Sequence, residues 1–98
     1  MTIQIAPVPN GTVTSAKGFS AGAVFAGIKT PGTDKRDIGL LLSDKPCNVA
    51  GTFTQNSIIS PSASLTRDRV GINKKVKAVV GNSGCANCAV GDQGLLDA

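Results

Sequence analysis

The residues of this chain with the most chemistry in them lie near its end, in Cys85-Ala86-Asn87-Cys88. Two thiols at this spacing offer either half of a zinc site or a dithiol that cycles with a disulfide. Zinc takes four ligands, and only Cys47 and the aspartates remain to complete a set. A redox pair works through a lowered thiolate pKa at a helix N-terminus, and a loop following a strand is loosely compatible with that. The plainer reading, and the preferred one, is two small residues packed into a tight loop. Just upstream, Gly81-Asn82-Ser83-Gly84 could cradle a phosphate. It lacks both the Gly-Lys-Ser/Thr ending of a P-loop and the spacing of a dinucleotide fingerprint, so as an anion site it is weak. As a turn that brings backbone close to a neighbour it is reasonable.

Absences narrow the chemistry further. The chain has 98 residues, no His, and only Asp among its six acids. It therefore holds no imidazole base, no Ser-His-Asp triad and no Cys-His pair. Ser and Thr are plentiful, but none sits beside an evident base, and a nucleophile needs a proton acceptor within reach. No complete catalytic site can be assembled; no catalytic, cofactor-binding or metal-ligating residue is assigned. Three aromatics, all Phe, are too few for a base-stacking platform. The net charge of +4 is mild, and Lys74, Lys75 and Lys77 read as a solvated turn entering a strand rather than a nucleic-acid patch. No apolar run approaches the roughly 20 residues needed to cross a bilayer. An odd cysteine count with no secretory signal points to a reducing, cytoplasmic setting.

The elements that would position these groups are mostly strands. Residues 20–29 are small and apolar on both faces, which predicts a strand covered on both sides. Residues 30–35, with Pro31-Gly32, read as a turn. A second buried strand spans 37–43 and ends at Asp44-Lys45-Pro46, because Pro removes a ladder donor. The alternation over 49–56 predicts a third strand. A short helix over 62–70, capped by Ser62 or Ser64 and stopped by Gly71, comes next. Residues 75–80 are the clearest central strand, 81–94 form a Gly- and Asn-rich loop, and Leu95-Leu96 open a helix. That helix has no stop signal before Ala98, so the chain is expected to be part of something longer.

A set of short motifs resembles one family. Thr14-Ser15-Ala16-Lys17-Gly18-Phe19, Ala26-Gly27-Ile28-Lys29 and Asp37-Ile38-Gly39-Leu40-Leu41-Leu42-Ser43-Asp44 come first. Ala50-Gly51-Thr52-Phe53-Thr54-Gln55-Asn56 and Ser60-Pro61 follow. Ala78-Val79-Val80-Gly81-Asn82-Ser83-Gly84-Cys85-Ala86-Asn87-Cys88 and Gly91-Asp92-Gln93-Gly94 close the set. In this order they are similar to the start of the ornithine acetyltransferases, the bifunctional glutamate N-acetyltransferases of arginine biosynthesis. Gly81 replaces an apolar strand residue of the family, Cys85 a frequent Asn, and Cys88 a usual Ala.

The resemblance implies an α+β fold of the α/β sandwich type, mostly strands with short helices. In it, residues 1–98 are the N-terminal portion of the α-chain domain of a larger self-cleaving acyltransferase. It implies a precursor that cuts itself before a Thr, whose hydroxyl then carries acetyl from N-acetylornithine to glutamate, with the new α-amino group as base. Nucleophile and oxyanion donors lie outside this chain, which alone is expected to be inactive. Implied partners are the β-chain bearing that Thr and the rest of the α-chain, in a hetero-oligomer, with small amino acids as substrates. Nucleic acid and membrane are not among them. No cofactor is implied, although acetyl-CoA is a substrate for some members. The loop at 82–91 is expected to position the oxyanion segment through backbone contacts. Two other readings remain: a related self-cleaving amidohydrolase or peptidase, and a small non-enzymatic binding module.

Overall fold

A computed structural model describes residues 1–28, 32 and 34–98 of the chain. Strand β1 is Phe19–Val24, strand β2 is Ile38–Asn48, helix α1 is Pro61–Ile72, strand β3 is Lys75–Asn82 and helix α2 is Gly91–Asp97. The strands form one antiparallel sheet in the order β1-β2-β3. This is the strand-rich α+β architecture expected. Of the turn read over 30–35, residues 30, 31 and 33 lie outside the described residues.

The central strand runs longer than its sequence suggests. β2 passes through Pro46 to Asn48 instead of ending at Asp44. The reason is a register shift: the β2–β3 pairing breaks between Leu42 and Cys47, then resumes with Cys47 opposite Val76. Pro46 sits in that irregular stretch, where no ladder N–H is required of it. The Ser43 hydroxyl organises the stretch, donating to the Lys45 carbonyl at 2.6 Å and accepting the Lys45 N–H at 3.3 Å. Ser43 is 7% exposed, the one buried polar side chain among the described residues.

Residues 49–56 are not a strand. The segment pairs with neither outer edge of the sheet, and without a ladder partner its alternation alone does not make a strand. Local side-chain bonds shape the segment's end, with Asn56 N–H on the Thr54 hydroxyl and Ile58 N–H on the Asn56 carbonyl oxygen. Helix α1 begins earlier than expected. Ser60, not Ser62 or Ser64, is its N-cap, accepting from the Ala63 N–H at 3.3 Å, and Pro61 takes the first turn. The helix also continues past Gly71 to Ile72 and closes with the Asn73 N–H on the Arg69 carbonyl at 2.8 Å.

β1 is shorter than expected, and all six of its residues are exposed. One sheet face carries Val24, Leu40, Leu42 and Val80; the other carries Phe19, Leu41 and Val79. Among the described residues no hydrophobic side chain is buried. The accessible surface is 8223 Å², against about 5,200 Å² for a compact monomer of this mass. The radius of gyration is 16.5 Å, where about 13 Å is usual for this length. Both apolar sheet faces therefore lie open in the chain taken alone.

Candidate functional site

Several of the motif residues converge at one end of the sheet. Asp37 is the hub. Its carboxylate accepts the Ala26 N–H at 2.6 Å and the Ile28 N–H at 2.9 Å. Its own N–H donates to the Val24 carbonyl at 3.0 Å, and its carbonyl accepts the Ser83 N–H at 2.8 Å. One residue thus ties the exit of β1, the entry of β2 and the exit of β3. The bonds from Ile28 and then Ala26 hold the Asp37 carboxyl below the ordinary aspartate value of 3.8, because N–H donors favour the ionised form. The sequence carries no signal for this role, since the donors lie 9 and 11 residues away across a chain reversal.

The glycine-rich stretch divides in two. Gly81 and Asn82 belong to β3 and face Gly39 and Ile38. The Ser83 N–H is taken by Asp37. The stretch is therefore a strand end and not an anion cradle. Gly84, with φ 116°, turns the chain out of the sheet in a conformation that side chains rarely adopt.

The Cys85–Cys88 loop then runs to α2. Cys85 Sγ approaches the Ile28 carbonyl at 3.6 Å, so the loop passes beside the segment that Asp37 holds. Both cysteines are exposed and neither is in a disulfide, which corrects the expectation of residues packed into a tight loop. The half-buried residue of the motif is Asn87, whose amide donates to the Gly94 carbonyl at 2.7 Å. Gly94 is buried. A Cβ there would sit 2.6 Å from Asn87 Oδ1 and 2.9 Å from Pro61 Cγ, so glycine is what allows α2 this close to α1. Helix α2 starts at Gly91, four residues before the Leu95 expected, because the loop is already closed by Asn87.

Cys47 is elsewhere. It pairs with Val76 at the far end of the ladder from Ile38 and Asn82, with its thiol 3.0 Å from the Ser43 hydroxyl. Beside it lies a shallow apolar depression of about 220 Å³, lined by Phe19, Leu41, Val49 and Val76 among others. The three cysteines do not converge, and no cluster of three metal-ligating side chains occurs among the described residues. Lys74 Nζ reaches the Gly71 carbonyl at 3.4 Å, at the end of α1. No helix among the described residues is long and apolar enough to cross a membrane.

What the arrangement supplies is position. Among the described residues no nucleophile is paired with a base; the hydrogen-bonded corner instead holds one loop and one helix.

Comparison with known proteins places this corner in context. The model of the ArgJ family matches residues 20–98. The arginine biosynthesis bifunctional protein ArgJ of Dehalococcoides mccartyi is 40% identical over all 98 residues, which make up 24% of its own length. The same-named protein of Geobacillus kaustophilus is 38% identical over 97 residues, 23% of its length. Among solved structures, ArgJ of Bacillus halodurans superposes with a TM-score of 0.82 at 33% identity, covering 92% of this chain and 46% of that one. An ornithine acetyltransferase of Mycobacterium tuberculosis, complexed with ornithine, gives 0.76 at 34% identity, with 87% of this chain and 43% of that one covered. The chain thus spans about a quarter of the curated relatives it matches. A match across four-fifths of its residues, on the same fold, shows that this chain belongs to the ArgJ family.

Proposed function

We propose that this chain is the N-terminal portion of an ornithine acetyltransferase that moves acetyl from N-acetylornithine to glutamate, in the cytoplasm. The observation that carries the reading is the likeness to a solved ornithine acetyltransferase with ornithine bound. In this reading the chain does no bond chemistry. A Thr freed by self-cleavage attacks the acetyl carbonyl, its proton passes to its own α-amino group, and ornithine leaves. Glutamate's amine then attacks the ester, regenerating the Thr. Relative lengths support maturation into two chains. The present chain covers 24% of a curated ArgJ but 46% of a solved one, so the solved chain is about half the curated polypeptide.

The role left to residues 1–98 is to build the sheet and hold the loop that leads toward the oxyanion donors. The Asp37 corner and the Asn87–Gly94 bond serve that role, with the rest of the α-chain and the β-chain as partners. The gene product, purified whole and mixed with N-acetylornithine in the absence of glutamate, should gain about 42 Da on a chain that begins with Thr. Adding glutamate should release it as N-acetylglutamate. Acetylation anywhere within residues 1–98, or no adduct on a protein that has cleaved itself, would overturn the reading.

A further inference from the structure

The thiols of Cys85 and Cys88 are a chemically capable pair that the proposed activity does not use. Both thiols are exposed and unbridged, and the residue between them that is not exposed, Asn87, fastens the loop to Gly94 of α2. We propose that Cys85 and Cys88 form a reversible intramolecular disulfide that releases Asn87 from Gly94, making the loop a redox-responsive site.

Three observations converge on the pair. First, accessibility: in the chain taken alone both sulfurs are exposed, whereas Cys47 is half-buried against Ser43. Second, spacing: two intervening residues is the separation at which paired cysteines cycle between dithiol and disulfide. Third, consequence: Asn87 lies inside the ring that a Cys85–Cys88 bond would close. Its 2.7 Å bond to Gly94 is the polar tie between loop and helix, and Gly94 is packed against Pro61 of α1. The chemistry balances with a small-molecule disulfide as oxidant. One cysteine thiolate attacks it, releasing one thiol and forming a mixed disulfide. The second thiolate attacks the protein sulfur of that mixed disulfide, releasing the other thiol. The protein loses two protons and two electrons, and the oxidant gains them. A dithiol reductant reverses both steps.

The test uses the whole purified gene product in oxidised and reduced glutathione mixtures, read by peptide mass mapping and by amide hydrogen exchange. Oxidation should lower the mass of the peptide holding both cysteines by about 2 Da and remove both from iodoacetamide labelling. It should do the same in Cys47→Ser, and not in Cys85→Ser or Cys88→Ser. In the same samples, exchange at α2 should rise on oxidation in the wild type and stay constant in Cys85→Ser. A bridge that runs through Cys47, or no bridge even in fully oxidised glutathione, would overturn the proposal. So would a bridge that leaves α2 exchange unchanged, since the release of Asn87 is its consequence.

Discussion

At the scale of single residues, Asp37 and Gly84 carry the account. Asp37 is ionised more readily in the folded chain than in the unfolded one, because Ile28 and Ala26 donate to its carboxylate. A depressed folded pKa means that the stabilisation is complete above the ordinary value of 3.8 and fades as pH falls through the lowered one. In the whole gene product, Asp37→Asn should therefore lower the melting temperature most near neutral pH. The gap to wild type should narrow as pH falls below 3.8. A gap that stays constant across the series would show that the carboxylate's charge does not hold the corner. Gly84 sits at φ 116°, where a β-branched side chain is strained by about 1–3 kcal/mol. If the loop positions the oxyanion donors as proposed, Gly84→Val should reduce turnover more than substrate affinity. Steady-state kinetics with unchanged turnover would refute that role. The importance of Gly84 is visible in the sequence, as a glycine between a strand and a loop. That of Asp37 is not, since nothing local marks which distant N–H groups will meet a carboxylate.

At the scale of elements, the reading of the sequence succeeds where the ladder itself rewards the pattern. The run at 75–80 is a strand, extended to Asn82 by pairing with β2, but it lies at the sheet's edge and β2 takes the central place expected of it. It fails at 49–56, where the alternation is as good but the segment pairs with neither outer edge of the sheet. It also fails at Pro46, where a bulge removes the reason for a strand to stop. The cap of helix α1 is placed two or four residues late because Ser62 and Ser64 are as plausible as caps as Ser60, and only the fold selects among them. Ser60→Ala should cost about 1 kcal/mol, read by denaturant unfolding of the whole protein, while Ser62→Ala should be near neutral. The helical glycines make a sharper contrast. Gly71 has open space around it, so Gly71→Ala should stabilise by about 0.5–1 kcal/mol through helix propensity. At Gly94 the same gain is outweighed by overpacking against Asn87 and Pro61, which costs about 1–3 kcal/mol, so Gly94→Ala should destabilise. Equal effects at the two positions would show that α2 does not pack against α1 as described.

At the scale of the whole molecule, the governing fact is surface. The chain exposes 8223 Å², roughly 3,000 Å² more than a compact monomer of its mass. That excess is the size of an obligate interface. Open apolar faces on both sides of a three-stranded sheet mean that its stability is shared with whatever covers them. The strand patterning predicts faces that are buried; it says nothing of which atoms bury them, and for this reason the family is readable from the motifs while the catalytic site is not. The most direct test of the central claim transplants the chain. Residues 1–98 replace the matching stretch of the Mycobacterium tuberculosis ornithine acetyltransferase, and acetyl transfer from N-acetylornithine to glutamate is measured. The account predicts a chimera that transfers acetyl within about tenfold of the parent, a difference of about 1.4 kcal/mol in barrier. A chimera that folds and assembles like its parent yet transfers no acetyl would contradict it.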